Sequence, residues 1–179
     1  NRLNIIGNSS SNAVWQFHSD LFFMEDFRIS INFLYDEFVL DKDIEIGKEH
    51  GRAHSVRLSY SIKNNNKHLF NIYAQNIYVG TPTFRHSNGY NNFVNNSRPL
   101  GWFNGSDTEE YLFGLKYINK KSILILLNLS FFFSGDETIK ERSFDGYLDY
   151  QKGVFPSGNI KSNFFLNSNF QWLINKTLT

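Results

Sequence analysis

The segment from Gly80 to Asp107 gathers the side chains best suited to molecular recognition. Arg85, His86, Tyr90, Phe93, Arg98, Trp102, Asn104 and Asp107 stand there among glycines and asparagines. Flat aromatic faces can stack on sugar rings, and Arg, Asn and Asp supply directed hydrogen bonds that tell one hydroxyl pattern from another. That chemistry suits a saccharide-binding surface, with Arg85, Tyr90, Arg98, Trp102, Asn104 and Asp107 as candidate contacts. The same residues also suit an external loop whose aromatics pack on one another.

Other chemistry finds less support. His50 and His54 have the spacing of two ligands on one helical turn, but Gly51 intervenes and the surroundings read as loop and strand, so no metal site is expected. Asp41 with Asp43, Glu109 with Glu110, and Asp136 with Glu137 offer carboxylates for calcium or glycoside hydrolysis. Both uses need a defined spatial arrangement that sequence spacing does not provide. No motif sets a serine nucleophile beside a base, and the chain has no cysteine, which excludes disulfides, thiolate metal sites and cysteine nucleophiles. Neither an enzyme nor a cofactor is expected. Asn-X-Ser/Thr triplets at Asn8, Asn95, Asn104, Asn128 and Asn175 follow from an asparagine-rich composition.

The elements that must hold these loops read as strands. Val56, Leu58, Tyr60 and Ile62 alternate with Ser55, Arg57, Ser59, Ser61 and Lys63, giving one apolar and one polar face. Phe27, Ile29, Ile31, Phe33 and Tyr35 oppose Arg28, Ser30, Asn32 and Asp36, with Leu34 as the exception. Before them, Trp15, Phe17, Leu21 and Phe23 face away from Gln16, His18 and Asp20. Four further sets run through Phe70 to Gln75, Tyr111 to Tyr117, Ile123 to Ser134 and Ile160 to Trp172, making seven predicted strands. Tight turns are predicted at Met24 to Asp26, Lys63 to Lys67 and Ile118 to Lys121, and long connections at 38–52, 80–107 and 135–159. If neighbours pair antiparallel, every tight turn lies at one end and every long loop at the other.

That asymmetry is characteristic of outer-membrane barrels, with short periplasmic turns and long extracellular loops. No window reaches the roughly 18 apolar residues of a spanning helix, whereas an oblique strand crosses a bilayer with about 9 to 11. Nineteen Phe, nine Tyr and three Trp in a chain of net charge +1 suit strands with one face in lipid and one in water, and the charge shows no bias towards nucleic acid. Tyr35, Tyr60, Tyr117, Trp15 and Trp172 fall near strand ends, where interfacial girdles lie. The expectation is an all-β fold: an antiparallel up-and-down transmembrane β-barrel, of which residues 1–179 form part of a single domain with the three long loops extracellular. Bacterial barrels have even strand numbers and usually close on an aromatic residue, so seven strands ending at Thr179 read as a fragment of a longer, monomeric protein. The alternatives are a porin or solute channel, with Arg28, Arg57, Lys63, Lys116 and Lys161 tuning its lumen, and a soluble carbohydrate-binding sandwich.

Two segments carry a family resemblance. Leu34 to Asp43 is a strand running into an acidic stretch, and Tyr90 to Gly101, rich in Asn and ending in Pro99, Leu100 and Gly101, is followed by Gly105, Ser106 and Asp107 and a new strand. In this the chain resembles the Wzi-type capsule assembly proteins, outer-membrane β-barrels of Gram-negative bacteria. Ser106 stands where the family commonly has proline. The resemblance implies a non-catalytic surface lectin in the cell outer membrane that helps attach or organise capsular or related polysaccharide. Pro99, Leu100, Gly101 and Asp107 are the positions it carries over, either as loop architecture or as ligand contacts.

Overall fold

The computed structural model describes residues 14–37, 49–64, 68–86, 89–119, 123–146 and 153–172. Asn8, Asp41, Asp43 and Asn175, most of the first long loop and the turn residues 65–67 and 120–122 lie outside the described residues. In chain order the strands are β1 (Trp15–Phe23), β2 (Phe27–Glu37), β3 (Gly51–Asn64), β4 (His68–Val79), β5 (Val94–Asn95), β6 (Arg98–Pro99), β7 (Thr108–Asn119), β8 (Ile123–Ser134) and β9 (Lys161–Trp172). The seven long strands form one antiparallel sheet in the order β1-β2-β3-β4-β7-β8-β9, each paired with its neighbour in the chain. The described residues are therefore all-β, and among them the sheet is open: β1 and β9 are its two edges.

The alternation of side chains dictates this register. Pairing Phe17 with Phe33, Ile29 with Leu58, Leu58 with Ala74, Ala74 with Phe113, Phe113 with Leu129 and Leu129 with Leu166 keeps every apolar set on one face. A slip by one residue anywhere would send a whole strand's apolar set to the other face. The seven strands of this sheet run from 9 to 14 residues, against about 5 to 6 in ordinary globular sheets. Turn 24–26 is as predicted, while Lys63 and Ile118 continue their strands and Gly51 and Arg52 already belong to β3.

The two faces differ in what covers them. Along the apolar face Phe17, Ile72, Phe113, Phe131, Leu166 and Phe170 all stay exposed, so among the described residues no second protein layer lies on it. Protein covers the polar face instead, at the long-loop end. There Ala53, Ile77 and Val79 are buried with Phe84 of the 80–107 loop and Ile139 of the 135–160 loop, and Leu34, Phe93, Val94 and Trp102 pack against them. Leu34, the exception to the alternation of β2, shares a row with Ala53 and Val79. Its apolar character answers the loop that folds down onto it.

Candidate functional site

The second and third long loops build one cap. The second leaves β4 through a turn in which Gly80 N donates to the Arg52 carbonyl at 2.9 Å and Thr83 Oγ1 to the same carbonyl at 2.8 Å. Phe84 then takes φ 68°, unusual for a bulky side chain. Three neighbours enforce it. Its N–H donates to the carboxylate of Asp36 at the end of β2, and its carbonyl accepts from Phe93 N at 2.9 Å. Its ring lies over Gly101 so closely that a Cβ there would stand 2.2 Å from Cζ. Only glycine fits that position. β5 and β6 form a small hairpin around Asn96 and Ser97, both at positive φ, as a two-residue turn requires.

Buried polar side chains then fasten loop to loop. The Asp107 carboxylate, fully buried, accepts from Thr81 Oγ1 at 2.9 Å, Ser157 N at 3.0 Å, Ser157 Oγ at 2.5 Å and Glu137 N at 3.1 Å. Arg85 is 1 % exposed. Its Nη1 donates to the Glu137 carboxylate at 2.8 Å and to the Glu137 carbonyl at 3.1 Å, and Nη2 reaches the Asp145 carbonyl at 3.4 Å. Asn92 donates to the carbonyls of Ser143 and Asp145, and Ser106 Oγ accepts from Ile139 N at 3.1 Å. Charges buried this way are tolerated because the Asp107 oxygens and both terminal nitrogens of Arg85 find hydrogen-bond partners inside the cap.

The candidate contacts therefore separate into three groups. Arg85 and Asp107 are interior fasteners; Trp102 and Asn104 are half-buried; Tyr90 and Arg98 are exposed. Pro99 pairs with Val94 in the small hairpin, Leu100 N donates to the Phe93 carbonyl at 2.9 Å, and Gly101 seats Phe84. The Pro-Leu-Gly stretch thus holds the loop in shape. Two exposed aromatics were not among the candidates: Phe144, whose ring lies 6.4 Å from that of Tyr90, and Phe103, with Lys140 Nζ 4.9 Å from its centroid. An aromatic within two residues of glycine or asparagine in a long loop, as Phe103 is of Asn104 and Phe144 of Gly146, was the signal that could have found them.

The other pairs weighed for chemistry are drawn apart. Glu109 and Glu110 fall on opposite faces of β7: Glu109 accepts from Asn76 Nδ2 at 3.2 Å and Tyr111 OH at 2.7 Å, and Glu110 from Ser130 Oγ. Asp136 accepts from Asn159 N at 2.8 Å while its neighbour Glu137 holds Arg85. His54 stacks on Tyr78 at 5.2 Å and reaches Asn76, whereas His50 meets Tyr35 edge-on. No protein-family model, curated protein or solved structure matches this chain.

Proposed function

We propose that this chain is part of an outer-membrane β-barrel whose loop cap binds a capsular or other surface polysaccharide, helping to attach or assemble it without catalysis. The observation that carries the reading is which face protein covers. In a soluble sandwich the apolar face lies under a second sheet and the polar face meets water. Here the loops cover the polar face at its long-loop end and, among the described residues, nothing covers the apolar one. Lipid is the solvent such a face requires. The apolar run of β8 from Ile123 to Phe133 extends roughly 34 Å at about 3.4 Å per residue. Tilted by about 45°, it matches the apolar band of about 25 Å that barrels present to lipid.

The glycan part rests on the outer surface of the cap. Tyr90, Phe103 and Phe144 are exposed aromatic platforms, with Arg98, Lys140 and Arg142 exposed among them as cations. A fastened cap holds such platforms in place at little ordering cost on binding. Testing uses the full-length protein in detergent, applied to immobilised capsular polysaccharide and, separately, to planar bilayers. Retention on the glycan with small or absent conductance is expected. A wide, steady pore with no retention would overturn the glycan reading in favour of a solute channel, which the groove of about 550 Å³ on the polar face supports. A monodisperse, detergent-free protein that retains its strands would overturn the barrel.

A further inference from the structure

We infer that the polar face of the sheet carries a binding site for a sugar-sized solute bearing a carboxylate or phosphate group, with Arg57 as its anion receptor. The groove of about 550 Å³ is lined by Ser, Asn and Gln side chains of β2, β3 and β4. In the register Arg57 stands between Ser30 of β2 and Gln75 of β4, with Ser55 and Ser59 before and after it on the same face. Every one of these neighbours is neutral. The carboxylate on that row, Asp20, is already committed: it accepts from Arg28 Nε at 3.1 Å and Nη2 at 2.7 Å, from Ser30 Oγ at 2.5 Å, and faces His18 Nε2 at 3.1 Å. No carboxylate among the described residues pairs with Arg57.

What holds Arg57 is an aromatic plane. Its guanidinium carbon lies 3.8 Å from the centroid of the Tyr73 ring. Tyr73 is itself buried and fixed: its OH donates to Asn128 and its ring lies where a Cβ on Gly114 would stand, 2.0 Å from Cζ. Stacking engages the face of a guanidinium and leaves its N–H edge for an oxyanion, which that planar fork can bind in bidentate fashion. Glu25 and Asp26 line the groove at its turn end, beyond Arg28, and repel an anion from there towards Arg57.

The rest of the solute is indicated by a second groove, of about 460 Å³, that shares Asn32, Ser55 and Gln75 with the first and continues under the cap. Its walls include Ile77, Phe84 and Trp102, and the Trp102 Nε1–H is buried without a partner. An apolar wall beside hydroxyl and amide side chains fits the carbon face and hydroxyls of a sugar ring. The site lies on the polar face and only its second groove runs under the cap, so it stands independently of whether the cap's outer surface binds polysaccharide.

The experiment titrates the full-length protein in detergent by calorimetry with glucuronate, glucose 6-phosphate and glucose. At least one anion is expected to bind, with glucose weaker by about tenfold or more, as loss of a charge-assisted pair implies. Arg57→Gln should lose about the same factor and Arg57→Lys less, because the lysine keeps charge but not the fork. Tyr90→Ala should bind like the parent, which separates this site from the cap. Failure of both anions to bind, equal binding of glucose, or an undiminished Arg57→Gln overturns the proposal. Should Arg57→Gln not fold, Gln75→Ala and Trp102→Phe carry the test: a several-fold loss in either supports the site, and parental affinity in both overturns it.

Discussion

Replacing Asp107 by Asn tests whether one buried carboxylate fastens the cap. The backbone there has φ 58°, a conformation that Asn adopts readily, so the change acts on the side chain alone. Each carboxylate oxygen accepts two hydrogen bonds: Oδ1 from Thr81 Oγ1 and Ser157 N, Oδ2 from Ser157 Oγ and Glu137 N. An amide turns one of those oxygens into a donor. The hydroxyl facing it can rotate and accept, but a backbone N–H is left opposing an N–H. The less costly orientation points the amide nitrogen at Glu137 N, which keeps a second acceptor in Ser157 Oγ at 3.0 Å. Losing the charge on the surviving bonds and one acceptor outright should weaken the cap by about 2 to 4 kcal/mol. Hydrogen exchange of the full-length protein reads this directly. The Glu137, Ile139 and Ser157 amides should exchange about 30-fold to several hundred-fold faster, at 1.4 kcal/mol per tenfold. Amides at the centre of β3 and β7 should not change. Parental protection at Glu137 and Ser157 in the variant would refute the fastening role.

Three further outcomes are expected. Gly114→Ala forces the Tyr73 ring off its seat and should cost at least about 1 to 3 kcal/mol in urea unfolding, with Tyr73→Ala in the same chain adding less than it costs alone. Leu127→Arg, in the middle of the apolar face, should destabilise the protein in liposomes by about 2 to 4 kcal/mol if that face meets lipid; a change within about 0.5 kcal/mol would mark it as ordinary wet surface. Tyr90→Ala or Phe103→Ala, both at exposed rings, should lower polysaccharide retention by about threefold to tenfold while leaving the unfolding midpoint in place.

The sheet was legible because period-two alternation is a property of each strand taken alone. Phe27, Ile29, Ile31 and Phe33 specify a face without reference to any other segment, and three tight connections then fix which strands are neighbours. The fold of the cap was not legible, because its partners are far apart in the chain. Arg85 meets Glu137 across 52 positions and Asp107 meets Ser157 across 50. Nothing local to Arg85 distinguishes an exposed sugar-binding arginine from a buried fastener. Charged loop residues are usually solvated, and that expectation placed Arg85 and Asp107 on the surface.

The departures from alternation were the legible trace of what the strands could not reveal. Leu34 breaks the polar set of β2, and Ile77 and Val79 continue the strand after Tyr73 and Gln75 with apolar side chains on the same polar face. Exposed to a hydrated groove, three branched aliphatics would have no reason to coincide at one end of it. Covered by Phe84, they make the floor on which the loop rests. A loop held at its root by apolar burial and along its length by Arg85 and Asp107 needs no ligand to order it. Its outer aromatics are therefore free to act as fixed platforms, and the same inward fold roofs the groove that leads to Arg57. One loop thereby shapes two surfaces, the outer face of the cap and the ceiling above the polar rows. Substitutions at Tyr90 and at Arg57 should consequently separate in binding assays, while Asp107→Asn, which loosens the cap as a whole, should disturb both.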